Sequence, residues 1–126
     1  MKRLEENVTI ITGGGKGIGY GLAQAFAEAG SNLVITGRTL SRRESARQRL
    51  EAEYGVKVLP IVADGADESA IKDVVAQTIA TFGKINTLVN NAQVSKSGLP
   101  LIEHTKEDLD LSIHSGLYAA FFYMRE

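Results

Sequence analysis

The feature that most constrains this chain is Thr12-Gly13-Gly14-Gly15-Lys16-Gly17-Ile18-Gly19, set between an apolar run and an amphipathic one. Before it stands Val8-Thr9-Ile10-Ile11, short and apolar as a buried strand requires. After it Ile18, Leu22, Ala25, Phe26 and Ala29 recur at the spacing of one buried helix face. The predicted unit is strand, glycine turn, helix. Glycines at such a turn permit positive φ and let a ligand approach the backbone without Cβ interference. Free N–H groups and the dipole at the helix start favour an anion, most naturally a phosphate. A nucleotide site is the leading expectation, with a flexible loop before a helix as the alternative.

Spacing narrows the motif. A dinucleotide pattern G-x-G-x-x-G started at Gly13, Gly15 or Gly17 ends on Ile18, Tyr20 or Leu22. A P-loop fails because Gly17 follows Lys16 where Ser or Thr is needed, and its first glycine falls on Ile10. What fits is T-G-x-x-x-G-x-G.

The remaining chain repeats the alternation of short strand and helix. Gly30 closes the first helix, and Leu33 to Thr36 read as a second strand. Ser41 and Glu44 form a capping-box pattern ahead of a helix burying Ala46, Leu50 and Tyr54, which Gly55 ends. Val56 to Val62 read as a third strand, held to an edge or a strand end by Pro60. Asp64 to Asp67 form a turn. Ile71, Val74, Val75, Thr78, Ile79 and Phe82 give a third helix stopped at Gly83. Thr87 to Asn90 make a fourth strand. After a polar loop through Gly98 and Pro100, Thr105 and Asp108 cap a helix carrying Leu109, Ile113, Leu117, Phe121 and Met124. That last apolar stripe reads as core or subunit contact.

The fold class expected is α/β: a Rossmann-type doubly wound parallel sheet, strand order 3-2-1-4, helices on both faces, with residues 1–126 as one domain. A length of 126 residues suits one core, and 44% hydrophobic with 23% charged content is ordinary for a globular chain. The net charge of -1 gives no footprint for nucleic acid or an anionic membrane. No run approaches the ~18 apolar residues of a membrane span. The absence of cysteine excludes disulfides, thiolate metal sites and a cysteine nucleophile. Without a signal-peptide core at the amino terminus, the expected location is cytoplasmic.

Ligands of such sheets lie beyond the carboxyl ends of the strands, where the glycine turn, Arg38, Asp64 and Asn90 all fall. An acid about 20 residues past the turn is the usual partner of an adenosine 2′-hydroxyl. Here that neighbourhood holds Gly37 and Arg38, with no carboxylate until Glu44. Arg38 and Lys16 instead suit an adenosine 2′-phosphate, favouring NADP(H) over NAD(H), or are solvated surface charges. Asp64 either accepts from an adenine amino group or is a turn former. Asn90 and Asn91 either touch a ligand or make Asx bonds to backbone. His104 and His114 lack partners at metal-ligand spacing and are read as structural or solvated.

With these residues placed, the chain resembles the short-chain dehydrogenase/reductase family over nearly its whole length. Thr12 to Gly19, Gly37-Arg38, Val62-Ala63-Asp64 and Leu88-Val89-Asn90-Asn91-Ala92 carry the resemblance. It implies a cofactor held by Gly13, Gly15, Lys16, Gly17, Ile18, Gly19, Arg38, Asp64, Gly65, Asn90 and Ala92. The family's N-N-A-G stands here as Asn90-Asn91-Ala92-Gln93, and the family's helix asparagine position is Gly116. No Y-x-x-x-K follows Tyr20, Tyr54 or Tyr118, and Tyr123 stands too near Glu126 for the pattern to be tested, so no catalytic residue is assigned. The chain ends at Glu126 within a helical pattern, at about half the length the family leads one to expect. The resemblance thus implies the cofactor-binding half of an NADP(H)-dependent oxidoreductase, acting on a small carbonyl or alcohol and assembling as a homo-oligomer. The alternative is a non-catalytic NADP(H)-binding module, or a fragment that associates through an open sheet edge.

Overall fold

The computed structural model describes residues 2–126. Four parallel strands, β1 (Val8–Thr12), β2 (Asn32–Gly37), β3 (Val58–Val62) and β4 (Thr87–Val89), form one sheet in the order β3-β2-β1-β4. Ile10 pairs with Val34 on one side and Leu88 on the other, and Val34 pairs with Leu59. The strands are apolar on both faces because both faces are covered. Alternation sorts the side chains: Ile11, Leu33 and Ile35 point to one layer, Ile10 and Val34 to the other. Pro60 lies in β3 opposite Ile35, on an edge strand as its missing N–H demands.

Helices α1 (Gly17–Glu28) and α2 (Leu40–Tyr54) close the first layer through Ala23, Ala27, Ala46 and Leu50. Helices α3 (Glu68–Phe82) and α5 (Ala119–Arg125) close the second through Ile71, Val74, Ala119 and Tyr123. Between β4 and α5 run a short 3-10 turn (Leu101–Glu103), α4 (Lys106–Ser112) and a π-helical turn (Ile113–Tyr118) continuous with α5. Thr105 and Asp108 form the expected capping box at α4. Gly55 and Gly83 end α2 and α3 in the left-handed conformation.

Three expectations are corrected. The buried face of α1 is Gly19, Ala23 and Ala27, flanked by the half-buried Leu22 and Phe26; Ile18 is 80% exposed. The helix lies so close to the sheet that only small residues fit the contact line. At α2 no capping box forms, because the helix starts two residues earlier than that pattern requires, after Thr39, and Glu44 is drawn to Arg47 at 2.8 Å. Along α4, the π turn and α5, the side chains turned inward are Ser115, Ala119 and Tyr123, while Leu109, Leu117, Phe121 and Met124 are exposed. Of the two readings of this stripe, core holds for Tyr123 and the half-buried Phe122 but not for these four, for which subunit contact is the reading left.

Candidate functional site

At the carboxyl ends of the strands lies a cleft of about 1070 Å³. Its first wall is the glycine turn, held by a lock between β1 and β4. The buried Thr12 hydroxyl accepts from the N–H groups of Asn91 (3.0 Å) and Ala92 (2.9 Å). The Asn91 side-chain amide donates in return to the carbonyls of Thr12 (3.0 Å) and Gly13 (3.4 Å). Gly13 N–H donates to the Thr36 carbonyl at 2.9 Å, tying the same turn to β2.

Two glycines show why side chains are excluded here. A Cβ on Gly19 would stand 2.1 Å from the Gly13 carbonyl oxygen, so helix and turn touch backbone to backbone. Gly17 has φ +56 and nothing within 4 Å of its Cβ position, an open spot over the turn in a conformation that L side chains avoid. No side chain caps α1 and no acid sits in its first turn, which leaves the turn's N–H groups available to an anion.

All eleven residues expected at a cofactor site, Gly13, Gly15, Lys16, Gly17, Ile18, Gly19, Arg38, Asp64, Gly65, Asn90 and Ala92, line this one cleft. Asp64 behaves as a turn former: its carboxylate accepts from Ala66 N–H at 2.9 Å. Asn91 makes the backbone bonds already described, whereas Asn90 is exposed at the rim. His104 lies 3.4 Å from Asp108, and His114 has Nδ1 2.7 Å from the Asp110 carbonyl; neither lines the cleft.

Sequence reasoning missed several lining groups. Ser115 is buried, donates to the Val94 carbonyl (2.8 Å) and accepts from Val94 N–H (2.9 Å), pinning the loop after β4 to the π turn. Gln93 and Gly116, which the sequence marks as departures from the family pattern without placing them together, face each other: a Cβ on Gly116 would stand 3.6 Å from Gln93 Cγ. Tyr123 lines the floor, and burial pushes its phenol above the ordinary tyrosine range. Arg42 and Arg43 add two cations to Lys16 and Arg38, against the single lining carboxylate of Asp64. Arg43 is 4% exposed, and burial, with neighbouring Arg42, holds its guanidinium below the ordinary arginine range. Its signal was the helical phase, since Arg43, Ala46 and Leu50 fall on one face of α2.

The fold, the glycine turn and the strand-end cleft agree with the comparisons. The family model described as short chain dehydrogenase matches residues 7–126. This chain belongs to the short-chain dehydrogenase family. The 12alpha-hydroxysteroid dehydrogenase of Clostridium sp. is 54% identical over 132 residues, covering 100% of this chain and 51% of that protein. Gluconate 5-dehydrogenase of Gluconobacter oxydans is 35% identical, covering 90% of this chain and 43% of its own length. Among solved structures, L-sorbose reductase from Gluconobacter frateurii, complexed with NADPH and L-sorbose, superposes with a TM-score of 0.92 at 30% identity. It covers 99% of this chain and 48% of the reductase chain. A short chain dehydrogenase from Burkholderia cenocepacia in complex with NADP gives a TM-score of 0.91 at 30% identity, over 98% of this chain and 50% of that one. The chain thus spans about half the length of the relatives it matches.

Proposed function

We propose that this chain is the cofactor-binding half of an NADP(H)-dependent oxidoreductase acting on a carbonyl or alcohol substrate. The observation that carries the reading is the cleft itself, where a glycine-rich turn carrying Lys16 meets Arg38, Arg42 and Arg43 and only one carboxylate. The residues fit the group. The space above Gly17 suits a diphosphate against backbone N–H groups, and the cations at the end of β2 suit a 2′-phosphate. Ile18, exposed at the cleft, offers an apolar surface beside that turn. When bound, NADP(H) supplies the hydride or takes it up. The chain's own part is to hold and orient: the α1 amino terminus takes phosphate, Arg38 and Lys16 set the 2′-phosphate preference, and the Thr12–Asn91 lock fixes the turn. The substrate class follows the relatives' names only in outline, a hydroxysteroid or a polyol-type compound.

Calorimetric titration with NADPH and NADH tests this reading. NADPH is expected to bind at least ~10-fold more tightly, with Arg38→Ala removing about a tenfold share, as charge-assisted phosphate bonds are worth. Equal affinity for both would refute the 2′-phosphate assignment. A second reading is assembly through exposed surface, as a homo-oligomer or a fragment completing its sheet. It is favoured by β4, which pairs on one side only, and by the outward stripe of Leu109, Leu117, Phe121 and Met124.

A further inference from the structure

Arg43 is an anomaly for a buried side chain. It projects from the inner face of α2, and its Cγ passes 3.4 Å from the Cβ position of Gly15. Its Nη1 then ends 2.2 Å from where a Cβ on Gly37 would be. The side chain thus spans the wall from the glycine turn to the end of β2, and only glycine at position 37 leaves room for the guanidinium. Both Nε and Nη2 are buried without a hydrogen-bond partner. No carboxylate among the described residues pairs with Arg43: Glu44, next to it in sequence, pairs with Arg47, and Asp64 of the same cleft accepts from Ala66 N–H. An unpaired buried charge is costly, whereas a buried charge with a counter-ion is tolerated.

We infer that Arg43 is the buried cation of a phosphate-ester subsite, left without a protein counter-charge because the ligand's phosphate supplies it. The identity of that phosphate, an adenosine 2′-phosphate, rests on the NADP(H) reading above. Arg38 and Lys16 meet the phosphate from the exposed side, and Arg43 meets it from inside the wall. The ligand-free fold then carries a charge it would be more stable without, a trade of stability for binding.

The test uses the full chain with adenosine 2′,5′-bisphosphate and 5′-AMP as probes, by calorimetry and thermal melting, on the wild type, Arg43→Met, Arg43→Lys, Gly37→Ala and Arg38→Ala. Wild type is expected to prefer the bisphosphate by at least ~10-fold. Arg43→Met should cut that ratio by about tenfold while leaving AMP affinity unchanged, and should raise the ligand-free Tm. Arg43→Lys should restore part of the ratio, and Gly37→Ala, whose Cβ displaces the guanidinium, should lower it with the arginine still present. Equal loss for both probes would mean that Arg43 only positions α2, and would overturn the proposal. So would a ligand-free Tm of Arg43→Met below wild type. An unchanged ratio in Arg43→Met, with loss in Arg38→Ala, overturns the role of Arg43 and leaves the cofactor reading standing. No preference in the wild type itself overturns that reading, and this proposal with it.

Discussion

At the scale of single residues, Gly19 is the least replaceable position in the turn. A methyl group there meets a backbone oxygen at 2.1 Å, and backbone cannot swing aside as a side chain can. Gly19→Ala is expected to cost about 1–3 kcal/mol, the range for overpacking, read as a lower urea midpoint with unchanged slope. Its nucleotide affinity should fall too, because α1 must shift away from Gly13. Wild-type stability in Gly19→Ala would show that the turn has slack. The sequence made the glycines legible because their spacing is local. Arg43 was illegible for the opposite reason: among Arg42, Glu44 and Arg47 it reads as one more solvated charge, and only its phase with Ala46 and Leu50 marks it as buried. Thr12 and Asn91 are 79 positions apart, so nothing local announces their contact.

Elements were legible in kind and order, less so in their rotation and ends. Hydrophobic spacing rewards large side chains, so it put Ile18 and Ala25 on the inner face of α1, whereas close packing chose Gly19, Ala23 and Ala27. The Ser41–Glu44 pattern failed as a cap because Arg47 offered Glu44 a charged partner. At α3 the cap is real: the Asp67 side chain accepts from the N–H groups of Ser69 and Ala70. The Ser69 hydroxyl, donating to it, holds the Asp67 carboxyl below its ordinary range, with the Ala70 N–H adding to this. A carboxyl depressed in the folded state stabilises fully above its unfolded pKa of about 3.9, and the contribution is lost as pH falls through the folded value. Asp67→Asn keeps a capping oxygen and removes the charge. The Tm of Asp67→Asn should therefore fall less steeply than wild type on acidification below about pH 4, while the two differ little in slope near neutrality. Parallel curves throughout would place no linkage at this cap.

At the scale of the whole molecule, strand order and layering were readable, because each short apolar run is followed by a helix that must return over the sheet. What covers the outer surface was not readable: the stripe on α4, the π turn and α5 has helical spacing whether it meets the sheet, another chain or water. Leu117 is 66% exposed and Phe121 51%, a surface that favours association. Size-exclusion chromatography across a range of concentrations is expected to show self-association, and Leu117→Asp with Phe121→Asp should shift it toward monomer with no loss of Tm. A wild-type chain that stays monomeric at every concentration would remove this surface from consideration. Among the described residues no helix is long and apolar enough to cross a membrane. The Thr12–Asn91 lock has a last consequence for how a ligand arrives. Because the turn after β1 and the loop after β4 are bolted to each other through four hydrogen bonds, these two rims cannot part like a jaw. On the proposed reading they form a ready socket, for which association with NADPH is expected to slow as salt screens the pull of its cations on an incoming phosphate.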